Sequence, residues 1–233
     1  MCTVSYVPLG AGNFILTSNR DENPARATLE PGNVTTLVQS AAIICPKDSK
    51  AGGTWIAMST SGKVACLLNG AFIKHQHNPP YSKSRGLVLL DYFNYADAGD
   101  FNAQVDLNGI ENFTLLLVEK QGVFELRWDG KQKYFSLLGD VQPRIWSSCT
   151  LYNQEEVEKK EDKFNNWMNR QDGTTVDELA FFHGYKNPEG FLLELPMVKT
   201  VSITSVQKTD QEIRMVYRDL LTNQQVEKII NLA

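Results

Sequence analysis

From residue 3 the chain runs through short β-branched and aromatic stretches, each closed by a turn signal, and this rhythm constrains its fold more than any other feature. Residues 3–7 and 14–18 are separated by Pro8-Leu9-Gly10-Ala11-Gly12-Asn13, which reads as a β-hairpin beginning almost at residue 2. Further strand candidates lie at 34–38, 41–44, 54–59 and 63–68, the last two joined by Thr60-Ser61-Gly62. Residues 112–119, 122–128 and 133–138 form a meander whose second turn, Asp129-Gly130-Lys131, carries the strong Asp-Gly signal. Residues 198–206 and 212–218 close the chain as two more strands. Helices are expected at 84–96, from the spacing of Leu87, Leu90 and Phe93, and at 153–170, a charged stretch with Val157, Phe164, Trp167 and Met168. Thr174-Thr175-Val176-Asp177-Glu178 reads as the capped start of a third helix, 176–182, stopped by Gly184. Many antiparallel strands with helices in two blocks predict one α+β domain over residues 1–233, two sheets packed together with helices outside.

Several function classes fall away on composition. A formal charge of -4 gives no support to nucleic-acid binding, and no apolar run approaches the roughly 18 residues of a membrane span. The start lacks a basic segment followed by an apolar one, so a cytoplasmic protein is expected. Cys2, Cys45, Cys66 and Cys149 are far apart and form no CxxC pair, so no metal site is expected and all four are read as reduced thiols. Glycine-rich nucleotide loops and HExxH are missing, and no cofactor is expected.

The chemistry concentrates at the beginning of the chain. Removal of Met1 would leave Cys2 with a thiol and a free α-amine on one residue. An α-amine with a reference pKa of about 7.7–8.0 is roughly a quarter neutral near pH 7.4, so it can act as general base for its own side chain. No histidine is then needed, and His75, His77 and His183 have no evident triad company in the sequence. Ser18-Asn19-Arg20-Asp21-Glu22-Asn23 follows the second hairpin strand, which returns towards residue 2. Arg20 could lower the thiol pKa and bind an anionic group, and Asp21 could hold the α-amine. Taken alone, such a charged cluster is more often a solvated turn. Gly52-Gly53-Thr54-Trp55 offers a glycine pair through which substrate could approach backbone, against the plainer reading of a tight turn. Asn69 of Leu68-Asn69-Gly70 could donate to an oxyanion, against the plainer reading of Asn69-Gly70 as a hairpin turn.

The start Met1-Cys2-Thr3-Val4, the Asn19-Arg20-Asp21-Glu22 tetrad, Gly52-Gly53-Thr54-Trp55, Leu68-Asn69-Gly70 and Ser84-Arg85-Gly86 together resemble the NRDE family, which includes the transport and Golgi organisation 2 group. The resemblance is clear over roughly the first 95 residues and looser through Trp146-Ser147-Ser148 and the strand near residue 200. It implies a four-layer αββα sandwich like that of N-terminal-nucleophile hydrolases. It also implies Cys2 as nucleophile and base, Arg20 and Asp21 as its supports, and Asn69 in the oxyanion hole. Gly53, Thr54, Trp55, Ser148 and Lys199 fall on the substrate side, Lys199 replacing an arginine found late in the related cysteine acylases. Two departures stand out: Arg20 and Asp21 are adjacent where the acylases separate them, and Cys149-Thr150 stands where a second oxyanion Asn is expected.

Two classes of function follow. One is hydrolysis or acyl transfer at a non-peptide amide through a Cys2 thioester. The other is a non-catalytic binding or trafficking protein for haem or a hydrophobic, lipid-like ligand, with Cys45-Pro46 as a haem-site dipeptide. Either takes a small-molecule amide or hydrophobic ligand as partner, and the sequence leaves the oligomeric state open.

Overall fold

The computed structural model describes residues 3–35 and 42–232. Cys2 and parts of the strands expected at 34–38 and 41–44 lie outside the described residues. The described chain opens with β1 (Thr3–Gly10), β2 (Asn13–Glu22), β3 (Thr28–Thr35), β4 (Ala42–Asp48), β5 (Ile56–Ser59) and β6 (Val64–Asn69). Then come α1 (Arg85–Asp91), a 3-10 turn at Tyr92–Asn94 and α2 (Ala98–Gln104). A meander of β7 (Phe113–Glu119), β8 (Gly122–Trp128) and β9 (Lys133–Gly139) leads to β10 (Arg144–Ser147). Helices α3 (Gln154–Met168) and α4 (Val176–His183) precede β11 (Lys199–Lys208), β12 (Glu212–Asp219) and β13 (Gln225–Asn231).

The strands form two antiparallel sheets, ordered β10-β1-β2-β11-β12-β13 and β3-β4-β5-β6-β7-β8-β9. Alternation along the first sheet divides its side chains between two cores. Val4, Tyr6, Phe14, Leu16 and Met215 join Ile56, Cys66 and Leu116 of the second sheet. Their neighbours Val7, Ile15 and Val216 join Phe164, Leu179 and Phe182 of α3 and α4. Helix α1 packs on β6 across the far side, through Val88 and Leu89. The result is an αββα sandwich. Leu16 is fully buried, and truncating such a residue costs about 2–5 kcal/mol.

Local chemistry sets the ends. Capping boxes start α3 at Asn153 with Glu156 and α4 at Thr175 with Glu178, and Gly184, at φ 118°, stops α4 in the left-handed region. The helix expected over 84–96 ends at Asp91, because Asp97 nucleates a separate helix by accepting from the Asp100 N–H. β2 is longer than expected. It carries the whole Asn19-Arg20-Asp21-Glu22 tetrad, so that segment is strand and not a solvated turn.

Candidate functional site

The register of the first hairpin brings the end of β2 beside the beginning of β1. Thr3 pairs with Asn19 on one side and with Ser147 of β10 on the other. Asn19, Arg20 and Asp21 are buried at 0%, 2% and 4% exposure, which three polar residues tolerate only when partnered. Strand alternation sends them to opposite faces.

Arg20 points into the space between the sheets. Its guanidinium meets Asp48 Oδ2 at 2.6 Å, donates to Thr28 Oγ1 at 3.0 Å, and stacks over the Trp55 ring at 4.7 Å. Arg26 reaches the same Asp48 oxygen at 2.7 Å. Burial alone would raise the Asp48 carboxyl, but the Ala51 N–H and the Arg26 and Arg20 guanidiniums outweigh it and hold the group below the usual carboxylate range. Glu22 bonds to Arg26 at 3.3 Å.

Asn19 and Asp21 point to the helix layer. The Asn19 amide donates to the carbonyls of His183 and Phe191 at 3.1 and 2.8 Å, which leaves Oδ1 to accept from His183 Nδ1 at 2.8 Å. His183 Nε2 therefore accepts from the Ser5 hydroxyl at 2.7 Å. Burial, with a smaller push from Lys160, drives His183 down to about 3, so the ring is neutral. This Ser-His-Asn chain has the connectivity of a triad, but all three residues are 0% exposed, so it is an anchor. On the same face Asp21 Oδ1 accepts from Thr200 Oγ1 at 2.5 Å.

Five of the residues singled out in the sequence meet at one cavity of about 120 Å³. Arg20, Gly53, Thr54, Trp55 and Asn69 line it, with Glu22, Arg26, Asp48, Ser84 and Arg85. Ser148 is tied to this group by donating from Oγ to the Asn69 carbonyl at 2.7 Å. Asp21 and Lys199 do not line the cavity; Lys199 sits on β11, paired with Glu22. The glycine reading needs correction. A side chain at Gly53 would put its Cβ 2.6 Å from the Gly86 backbone, and one at Gly86 would meet Thr54 O at 2.6 Å. These glycines let two chain segments touch each other, with Thr54 N–H donating to Gly86 O at 3.3 Å. Asn69-Gly70 is no hairpin turn either: Asn69 ends β6, whose partner β7 begins only at Phe113.

A second, larger cavity of about 620 Å³ is reached by the chain just after Gly70, at Ala71. Ala71, Phe72, Trp146, Ser147, Cys149 and Tyr152 are among its walls. Gly70, at φ 80°, has no room for a side chain because the Cys149 sulfur lies where a Cβ would go. Arg127 holds the rim, bonded to the Ala71 carbonyl at 2.7 Å and stacked on Phe72. Asp48, Arg26, Ser84 and His183 were missed as site residues in the sequence. Ser84-Arg85-Gly86 carried a signal as a motif, whereas Asp48 and His183 carried none.

Burial disfavours the thiolate at all three described cysteines. Burial pushes Cys45 up to about 11 and Cys66 up to about 12, and raises Cys149. Cys45 is 1% exposed, so the Cys45-Pro46 dipeptide has no surface on which to meet a porphyrin.

The family profile for Transport and Golgi organisation 2 matches residues 1–224. The chain belongs to that family. Transport and Golgi organization protein 2 of Drosophila melanogaster is 34% identical over 99 residues, covering 41% of this chain and 34% of that protein. The match thus spans about a third of the curated relative's length. Among solved structures, a conjugated bile acid hydrolase variant from Clostridium perfringens aligns with a TM-score of 0.57 and 10% identity, over 100% of this chain and 97% of its own. The N-acylethanolamine-hydrolyzing acid amidase orthologue of Caenorhabditis elegans aligns at the same score and identity over 88% and 92%. At that identity the likeness is one of fold. This member of the Transport and Golgi organisation 2 family is built as the αββα sandwich of N-terminal-nucleophile hydrolases.

Among the described residues, no helix is long and apolar enough to cross a membrane, and no cluster of histidine, cysteine or carboxylate side chains is arranged to hold a metal ion.

Proposed function

We propose that the protein is an N-terminal cysteine hydrolase or acyltransferase for a non-peptide amide, acting through a thioester on Cys2. One observation carries this reading. The start of β1 runs between Asn19 and Ser147, and beside it lie the cavity lined by Asn69 and the larger one lined by Ala71 and Ser147. The fold shared with two amide hydrolases supports the same reading.

In this mechanism the Cys2 α-amine takes the thiol proton as sulfur attacks the amide carbonyl. Asn69 donates to the developing oxyanion, a contribution worth about 2.7–4 kcal/mol where a single donor has been removed from such a hole. Arg20 favours the thiolate, while Asp21, turned to the opposite face of β2, takes no part in the cavity. The ammonium protonates the leaving amine as the C–N bond breaks, leaving the acyl group on sulfur. Water, or an acceptor amine, then attacks the thioester and regenerates the thiol. Thr54 and Trp55 line the cavity offered to the substrate, and Ser148 supports it by holding the Asn69 carbonyl.

The buried thiols make a clean test. At pH 7, iodoacetamide should label Cys2 at least about tenfold faster than Cys45, Cys66 or Cys149, since only the thiolate reacts. Intact mass should show Met1 removed and, with a reactive amide, one acyl adduct on Cys2. Retained Met1, or equal labelling of all four cysteines, sinks the mechanism.

A second reading is a ligand carrier that does not turn over: the 620 Å³ cavity has room for one, with Phe72, Trp146 and Tyr152 on its walls beside Lys74, Arg127, Glu156 and Glu161. Saturable binding of an apolar ligand without any Cys2 adduct would select it.

A further inference from the structure

We propose that the free edge of β9 is an interaction surface for a second copy of this chain. Two β9 strands pair antiparallel about a two-fold axis at Ser136 and join the two seven-stranded sheets into one. This goes beyond the reaction proposed above and does not depend on it.

Among the described residues the two sheets end in four edge strands, β10, β13, β3 and β9, and three of these are protected. β10 has only four residues and lies against α3. β13 carries Glu227 and Lys228 near its centre. β3 is broken by Pro31 and by a register shift between Leu29 and Gly32. Shortness, charge, proline and bulges are the means by which sheets keep their edges from pairing with other chains. β9 runs for seven residues, Lys133–Gly139, and from Tyr134 onward it has neither charge nor proline. Its one irregularity falls near its end, at Leu138. Tyr134 and Leu137 are 40% and 54% exposed, and Val141, just beyond, is 75% exposed.

The backbone at this edge is set for pairing. The Asp129 N–H donates to the Gln132 carbonyl at 3.4 Å, which makes these two a hydrogen-bonded pair of the β8–β9 hairpin. Arg127 stands opposite Tyr134, Leu126 opposite Phe135, Glu125 opposite Ser136 and Phe124 opposite Leu137. Alternation from that first pair turns the backbone groups of Tyr134 and Ser136 to β8 and those of Phe135 and Leu137 outward. An antiparallel copy centred on Ser136 sets Phe135 against Leu137 twice over. The pairing makes four backbone hydrogen bonds and an apolar strip that extends the stack of Phe124 on Phe135. The same register brings Asp140 of each copy beside Gln132 of the other, with Lys131 next to it, so opposite charges meet at both ends. Moving the axis to Phe135 would oppose Lys133 to Leu137 and lose both matches. The interface is self-complementary and closes at two copies. Tyr134 packs edge-on against Phe72, a wall of the 620 Å³ cavity, so the interface adjoins that cavity.

Sedimentation velocity on the full chain should show a monomer–dimer equilibrium with a midpoint on the order of 10 µM, the strength expected of a small interface. Leu137→Lys, at an exposed position, should weaken the dimer at least about tenfold by setting a charge against Phe135 of the other copy. Ser136→Cys reads the register. Residues facing each other without mutual hydrogen bonds have Cα atoms about 4.5 Å apart, within the range of a disulfide. Oxidised glutathione should therefore join the two introduced thiols across the axis, as peptide mapping would show. Tyr134→Cys should not cross-link to itself, because the two copies of that position lie about 13 Å apart along the strands. The cross-linking comparison stands on its own should Leu137→Lys not fold. A chain still monomeric at about 100 µM overturns the proposal. So does a dimer indifferent to Leu137→Lys, or self-cross-linking of Tyr134→Cys as fast as that of Ser136→Cys.

Discussion

Asn19 and Arg20 are neighbours in the chain and equally buried, yet they serve different halves of the molecule. Asn19 spends both side-chain polar atoms on the helix layer, holding His183 and the Phe191 carbonyl against β2. Arg20 faces the other way, into the cavity, where Asp48, Thr28 and Trp55 hold it. Asp21 follows the first and Glu22 the second. A contiguous motif on a strand is therefore two interleaved devices, one that fastens the scaffold and one that shapes the site. Losses on the Asn19 side should register as stability, and losses on the Arg20 side as reactivity.

The largest effect expected from breaking this division is on the anchor. His183→Ala removes a buried ring and leaves Ser5 and Asn19 without their partner, so unfolding free energy should fall by about 3–5 kcal/mol. A change below about 1 kcal/mol in urea titrations would end the anchor reading. Next comes acid sensitivity. His183 has a folded pKa of about 3, below its unfolded value, so the unfolded chain binds the extra proton and stability falls as pH drops below about 6.5. Between pH 7 and 4.5 the loss should be about 2–3 kcal/mol, before Asp48 begins to titrate, and His183→Gln should flatten it.

On the other face, Arg20→Met should cost only about 1–2 kcal/mol, because Arg26 and two backbone N–H groups still hold Asp48. Its signature should be chemical: labelling of Cys2 at pH 7 slowed by about three- to tenfold, as the role proposed for Arg20 requires. An Asn19→Ala protein, measured while still folded, should show no such slowing. If both variants slow equally, the two faces are not separable. Thr200→Val removes two hydrogen bonds, one donated to Asp21 and one accepted from the Leu193 N–H, and should cost about 1–2 kcal/mol in a thermal melt.

Much of the sheet framework was legible because hairpin turns announce themselves. The meander around Asp129-Gly130 and the capped helix at Thr175 appear close to where local chemistry put them. Elements with weak local signals were missed. β13 is an edge strand whose residues alternate between exposed and half-buried, β10 is four residues long, and α2 has Gly99 and Asn102 among its seven. The site was legible as letters but not as geometry. A charged tetrad looks like a solvated turn until its partners are known, and Asp48, Thr200 and His183 are scattered along the chain. His183 lacked company in the sequence because Ser5 and Asn19 come to it from the opposite end. Cys2 itself, the residue the sequence favoured most, lies outside the described structure.

The contact between Gly53 and Gly86 has a consequence for how ligands could be received. Each glycine faces the other segment's backbone, so neither position can be enlarged and then compensated by trimming a side chain across the gap. The pair works as a welded seam running beside Trp55, Ser84 and Arg85. A guest entering there would find donors whose orientation is already fixed. Little of its binding free energy would go into ordering the host, and a poorly shaped guest would meet a wall that does not yield.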